Sequence, residues 1–437
     1  MITFAMKSHP LVSLLCVASL VASVAGCHGG SPSEKADTAA VAKWNQLATD
    51  AVVKFNANDA AGGIPPMIES RMYAMAFSAA HDALNAIDAR YQPYLTRGTS
   101  ANASPDAAVA AAIHDVMVSQ LPPLQADLDA AYNTALAAIT EGESKTNGIA
   151  LGKQMAAAIT ASRQSDGSAS AQTPYVPGTA PGNYRFTAPF NGPPFNGFVA
   201  LPAWGKVKTF VATSGAQFRS PPPYQVTDAA YTKDFNEIKS LGAANGSLRT
   251  SEQSEIGRFW LESSPLGWNR IAATLAKSRN LNGWDQARVF ALVHLAVADS
   301  YISSFDSKYF YNFWRPVTAV NLADTDGNPD TTGDATWSSF DPVTPPLPDY
   351  PSAHASSGGA AAAVLRGVFA SDDIAFSQTS TTLPGVTRSY TKLSQAALEN
   401  NASRIYVGYH FRLAVDEGLK LGDQLGKLAV QSRLQPL

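Results

Sequence analysis

The chain has 437 residues and a formal net charge of -3, with 15% charged and 45% hydrophobic residues. That length suits one large domain or two, and the near-neutral balance without a basic run argues against nucleic acid as a partner. The alanine-rich, apolar composition points to a folded chain with much helix.

The N-terminus reads as a targeting segment. Lys7 precedes an apolar run, PLVSLLCVASLVASVAG, that ends in small residues. Val24, Ala25, Gly26 and Cys27 resemble the lipobox of bacterial lipoproteins. Residues 1–26 are therefore expected to be a lipoprotein signal peptide, and 27–40 a flexible tether. A lipid on Cys27 would be the sole membrane contact, placing the protein in the bacterial cell envelope, facing the periplasm or exterior. Cys16 and Cys27 are the two cysteines of the chain. Cleavage leaves one and a lipid would consume it, so neither a disulfide nor a cysteine-ligated metal is expected. No later stretch reads as apolar and long enough to span a bilayer.

Downstream, apolar residues recur at helical spacing over 38–56 and 65–88, and helical runs cover 105–120, 122–140 and 145–163. A stretch without period follows over 167–226, rich in Gly, Pro and aromatics. Helical runs resume at 228–241, 251–263, 266–278, 283–306, 353–369, 391–411 and 413–430, and no strand alternation stands out. The expected fold class is all-α. Two helical bundles, an N-terminal half at 41–166 and a C-terminal core at 227–437, would pack together across the connector at 167–226. The polar loop from Asp324 to Asp334 spaces its acids like a calcium loop. Its glycine is misplaced for an EF-hand and no glutamate stands at the twelfth position, so a solvated loop is the plainer reading.

Candidate chemistry concentrates in three places. In DSKYFYNFWRP, residues 306–316, Lys308 and Arg315 stand two helical turns apart, so one helix would put both on one face. In TPPLPDYPSAHASSGG, a proline-broken strap runs into a helix start at Ser352, Ala353 and His354. Helix N-termini attract anions through free N–H groups; a serine adds a hydroxyl, and a histidine can transfer a proton. In SRIYVGYHFR, Arg404 precedes His410 at a spacing that does not share a helix face. His9 and His28 fall in the leader or tether, and His81, His114 and His294 read as packed helix residues. Three cations, a helix N-terminus and two histidines, with no carboxylate among them, suit a phosphate-like or vanadate-like oxyanion.

KYFYNFWRP, YPSAH and SRIYVGYH together resemble the three ordered motifs of the superfamily of vanadium-dependent haloperoxidases and type 2 phosphatidic acid phosphatases. The resemblance implies that Lys308, Arg315 and Arg404 neutralise the oxyanion, with Ser352 as hydroxyl donor and Ala353, in place of the usual glycine, supplying an N–H. It implies His354 as the acid–base residue and His410 as the vanadium ligand, or as the nucleophile in the phosphatase branch. The cofactor would be vanadate, with phosphate able to take the same site. The partners would be halide and hydrogen peroxide, or a phosphate ester. Phosphatases place an aspartate four residues after the nucleophilic histidine, where this chain has Ala414. This favours a haloperoxidase over an acid phosphatase, with a non-catalytic oxyanion-binding lipoprotein as a third reading. Leu347 stands where haloperoxidases often carry an aromatic, which bears on halide preference.

Overall fold

A computed structural model of the chain describes residues 37–58 and 63–437. The signal peptide, the lipobox and most of the tether lie outside the described residues.

Five helices build the N-terminal half: α1 Ala40–Asn58, α2 Pro66–Ile87, α3 Pro105–Gln120, α4 Gln125–Ala137 and α5 Glu143–Arg163. Eight more follow the connector: α6 Ala229–Leu241, α7 Ser251–Phe259, α8 Ser264–Ser278, α9 Gly283–Tyr311, α10 Pro316–Leu322, α11 Ala353–Phe369, α12 Leu393–Tyr406 and α13 Arg412–Ser432. Their starts follow local chemistry. Pro66 and Pro105 occupy first turns, where a missing N–H is harmless. Ser104, Asn282 and Ser352 cap with side-chain oxygens, and Thr250 with Gln253 forms a capping box.

The all-helical expectation holds, with one addition. Phe376–Thr379 (β1) and Thr387–Tyr390 (β2) form a small antiparallel hairpin, in register Phe376 to Tyr390. Two boundaries also differ from the sequence reading. The helix expected over 391–411 stops at Tyr406, because Gly408 takes φ +85° and turns the chain before His410. The helix carrying Lys308 runs on to Tyr311 and ends at Asn312 in the left-handed region, so Arg315 lies beyond it.

The spine of the protein is α9. It packs on α2 and α1 from the N-terminal half and on α8, α11 and α13 from the C-terminal half, so one apolar core runs through both bundles. By length and composition α9 could cross a membrane, against the sequence expectation, but it is almost wholly buried inside the protein. Its polar residues serve the connector. The buried Asp299 carboxylate accepts from the N–H groups of Phe210, Val211 and Ala212 at 2.6–2.8 Å, and Asp306 forms a two-pronged pair with Arg219. The connector is irregular apart from two short 3-10 turns. It clamps the end of α9: Tyr184 N donates to Asn312 O at 2.7 Å, and Trp314 N to Gly182 O at 2.9 Å.

The pair α11 and α13 fixes the start of α11. Along α13, Gly418, Gly422 and Gly426 recur every four residues and face the backbone carbonyls of Ser352, Ser356 and Ala360. A Cβ at Gly422 would overlap the Ser356 carbonyl oxygen and force the helices apart. An exposed helix position would gain about 1 kcal/mol from glycine to alanine. Here Gly422→Ala is expected instead to lose about 1–3 kcal/mol through overpacking. A lower urea midpoint checks this.

Candidate oxyanion-binding site

The three sequence segments meet at one cavity of about 610 Å³. Lys308, Arg315, Ala353, His354, Arg404 and His410 line it, with Tyr301, Phe305, Leu347 and Tyr409 among their neighbours. Lys308 comes from the last turn of α9, Arg315 from the residue before α10, and Arg404 from the last turn of α12. His410 sits in the turn before α13. Lys308 and Arg315 converge because the chain reverses at Asn312, and not because they share a helix face. The turn at Gly408 does the same for Arg404 and His410. A Cβ at Gly408 would press on Ser339 and on the Gly242 carbonyl, so the turn needs glycine for space as well as for φ.

Ser352 is the exception among the expected residues. It is fully buried, and its hydroxyl accepts from Ala355 N at 3.3 Å as the cap of α11. Its N–H donates to the Ala414 carbonyl at 2.8 Å. It precedes Ala353 in the chain and is not among the residues that line the cavity.

The strap over 344–350 holds the first two cations. Its prolines have no N–H to offer, so the strap presents carbonyls. Lys308 Nζ donates to the carbonyls of Pro348 and Asp349, each at 2.8 Å. Arg315 Nε donates to Leu347 O at 2.7 Å and its Nη1 to Tyr409 O at 3.0 Å. Arg404 donates to Trp260 O at 2.9 Å and leaves its buried Nε without a partner. Its guanidinium lies over the Tyr409 ring.

Sequence reasoning excluded any carboxylate from this site, and that is corrected here. Asp349, wholly buried, stands 2.7 Å by Oδ1 from His410 Nδ1 and 3.8 Å from Arg315 Nη1. The contact with His410 lies off the line of a ring N–H bond, and both carboxylate oxygens lack an in-line donor. The available signal was a lone acid between prolines, five residues before His354 in an otherwise apolar strap.

Burial sets the electrostatics. It holds the Lys308 ammonium well below its usual range, with Arg315 pushing the same way. Burial, then the three cations, keeps His410 neutral, and burial with Arg404 does so for His354. Arg404 is drawn down to about 10 by burial, and the Asp349 carboxyl is pushed up to about 7 by burial against the pull of Arg315 and Lys308. His354 Nε2 is buried without a partner. His81 and His294 are packed in the core. Gln92 O is the partner of His81 at 3.1 Å, and Asn269 Oδ1 that of His294 at 2.8 Å. His114 lies between Asp115 and Asp129. The acids of the 324–334 loop close that loop on itself: Asp324 accepts from Gly333 N, and Asp326 from Asn328 N and Thr331 Oγ1.

The family model for the VCPO second helical-bundle domain matches residues 288–436, the stretch that carries Lys308, Arg315, Asp349, His354, Arg404 and His410. The chain is similar to vanadium haloperoxidases. It is 32% identical over 210 residues to the vanadium chloroperoxidase of Curvularia inaequalis, a match covering 40% of this chain and 34% of that relative. The matched stretch thus spans about a third of the relative's length. The crystal structure of a bacterial vanadium-dependent iodoperoxidase superposes with a TM-score of 0.74 at 26% identity, covering 91% of this chain and 97% of that one. A holo-type bacterial vanadium-dependent chloroperoxidase superposes with a TM-score of 0.69 at 20% identity over 84% and 92%, which shows the shared fold.

The donor set fits an oxyanion. Three buried cations face the buried Asp349 and the partly buried Asp341, so positive charge is in excess (3 − 2). Glu262 on the cavity wall is already bound on both oxygens by Arg270. An uncompensated buried charge costs several kcal/mol, so a bound anion is the natural complement. Lys308 has one N–H left after its two carbonyls, and Arg404 Nε is free to donate.

Behind the wall, Ser263 donates its hydroxyl to the buried Glu69. Burial raises the Glu69 pKa to about 8, against that hydrogen bond. A raised carboxyl binds a proton in the folded state that the unfolded chain has released. Glu69 therefore withdraws stability as pH climbs from about 4.5 to about 8. Glu69→Gln is expected to unfold at higher temperature than the wild type at pH 9 and at nearly the same temperature at pH 4.5. Thermal melts at the two pH values check this.

Proposed function

We propose that this protein is a vanadate-dependent haloperoxidase: halide, hydrogen peroxide and a proton become hypohalous acid and water. The observation that carries the reading is the convergence of Lys308, Arg315, Arg404, His354 and His410 on one cavity with surplus positive charge. The likeness to a bacterial iodoperoxidase over nearly the whole of both chains supports it.

In this reading His410 would hold the metal through Nε2. Lys308, Arg315 and Arg404 would hold the oxygens, and the Ala353 N–H at the start of α11 would add a donor. Bound vanadate supplies a Lewis acid that activates peroxide without changing its own redox state. His354 is kept neutral by burial, so it can take a proton from incoming peroxide and return it to the departing oxygen. Lys308 keeps its remaining N–H for the reacting oxygen.

The phosphatase reading gains one observation. Asp349 gives His410 the carboxylate neighbour that Ala414 denies it, so Ala414 no longer argues against a nucleophilic histidine. Paired assays on one preparation decide: halide oxidation with vanadate and peroxide, and hydrolysis of a chromogenic phosphate ester without vanadate. The expected result is oxidation with little hydrolysis; hydrolysis alone would install the phosphatase, and phosphate binding without turnover the non-catalytic reading. His410→Ala is expected to abolish vanadate binding. His354→Ala should retain binding and lower kcat by about 100-fold or more. Equilibrium dialysis with vanadate, run beside kinetics, separates the two roles.

The cell-envelope placement belongs to the same proposal and rests on the lipobox-like residues 24–27. Labelling of the wild type by a radioactive fatty acid, lost in Cys27→Ala, checks it.

A further inference from the structure

We infer that Asp349 is the positioning residue of His410: it holds the ring proton on Nδ1 and so keeps the Nε2 lone pair available to the oxyanion. The inference deepens the proposed function and rests on its assignment of His410.

The argument is geometric. A neutral imidazole carries one proton, and the nitrogen without it has the lone pair that can bond a metal or attack phosphorus. Two neighbours choose between the nitrogens. Asp349 Oδ1, an acceptor, lies 2.7 Å from Nδ1. Arg315 Nη1, which can only donate, lies 3.1 Å from Nε2 and 3.4 Å from Nδ1. An acceptor at one nitrogen and a donor closer to the other both select the Nδ1–H form. The carboxylate is itself anchored. Its own carbonyl receives Lys308 Nζ at 2.8 Å, and its N–H donates to Phe313 O at 2.9 Å. The strap thus ties Lys308, Arg315 and His410 through a single residue. The Nδ1 contact is short but lies off the line of a ring N–H bond, and hydrogen bonds at reaction sites commonly tighten during the reaction.

The position has a further logic. An acid four residues after His410 would project from the first turn of α13, where Ala414 is buried and gives its carbonyl to Ser352 N. The strap supplies the carboxylate from the opposite side, and a cation already touches it there.

The test uses the full chain without vanadate or peroxide. Nitrogen-15 NMR of the histidine rings, with the His410 signals assigned by their loss in His410→Gln, reports which nitrogen bears the proton. The expected result is Nδ1–H in the wild type and a loss of that preference in Asp349→Ala. Asp349→Asn keeps a carbonyl oxygen in place and should retain the tautomer. An Nε2–H form in the wild type overturns the inference. So does an unchanged Nδ1–H form in Asp349→Ala, which would assign the tautomer to Arg315 alone. If Asp349→Ala does not fold, the wild-type tautomer and Asp349→Asn carry the test. None of these readouts depends on halide oxidation, so a protein that proved to be a phosphatase would leave the inference standing.

Discussion

The structure depends on how two positive charges are kept in the dry interior. Lys308 and Arg315 are both buried, and neither has a close in-line carboxylate partner. Their donors are met by successive carbonyls of the strap at Leu347, Pro348 and Asp349. Carbonyl dipoles satisfy N–H groups without cancelling net charge. A carboxylate in their place would make a neutral pair with nothing left for an anion. The strap therefore does two things at once: it makes the burial of the cations tolerable and leaves their field directed into the cavity. That strap has to be irregular, because a strand would spend its carbonyls on a neighbour, and its prolines prevent such pairing.

Much else in the fold holds that strap and its cations in place. The connector packs against both. Tyr184 and Gly182 bond the turn between Lys308 and Arg315, and Ala200 N reaches Pro346 O at 2.8 Å. On the far side the glycines of α13 let α11 approach backbone to backbone, which sets where Ser352, Ala353 and His354 begin. The N-terminal half reaches the site less directly. Its α2 packs along α9, its Met67 lines the cavity, and its Glu69 lies behind Ser263. A site assembled from three separate segments needs a rigid frame, and the continuous core through α2, α9 and α11 provides it.

What could be read from the sequence was local, and what could not was long-range. Helical periodicity located nearly all the helices because each buries one face. It missed α10, too short to show a period, and the hairpin at 376–390, where Gly385 marks a turn but the strands are only four residues each. The six cavity residues were legible through their motifs, yet the reason offered for Lys308 and Arg315 was wrong. A left-handed Asn312 breaks the helix between them, and asparagine is the non-glycine residue most tolerant of that conformation. Asp349 was passed over because the histidine it faces is not His354, five residues on in the chain. Its partner His410 is 61 positions away (410 − 349), and only the tertiary fold brings the two within 2.7 Å.

The electrostatics of the site select a class of ligand. An excess of positive charge recognises an oxyanion, and vanadate and phosphate present nearly the same one. A carboxylate beside His410 serves a metal ligand and a nucleophile alike, since both need the Nε2 lone pair and a held Nδ1 proton. The charge arrangement therefore fixes the ligand class and leaves the reaction to the rest of the cavity. There the chain is mixed. Leu347, Val343 and Pro345 give the cavity apolar lining, whereas Ser263, Asp341 and Tyr409 give it polar lining. A phosphate monoester brings a leaving group that must fit beside the bound phosphoryl and be protonated by His354. Peroxide and halide need only a narrow approach to the same proton. The unpartnered His354 Nε2 is common to both routes, so the choice between them rests on what the wall at Leu347 admits within reach of His354.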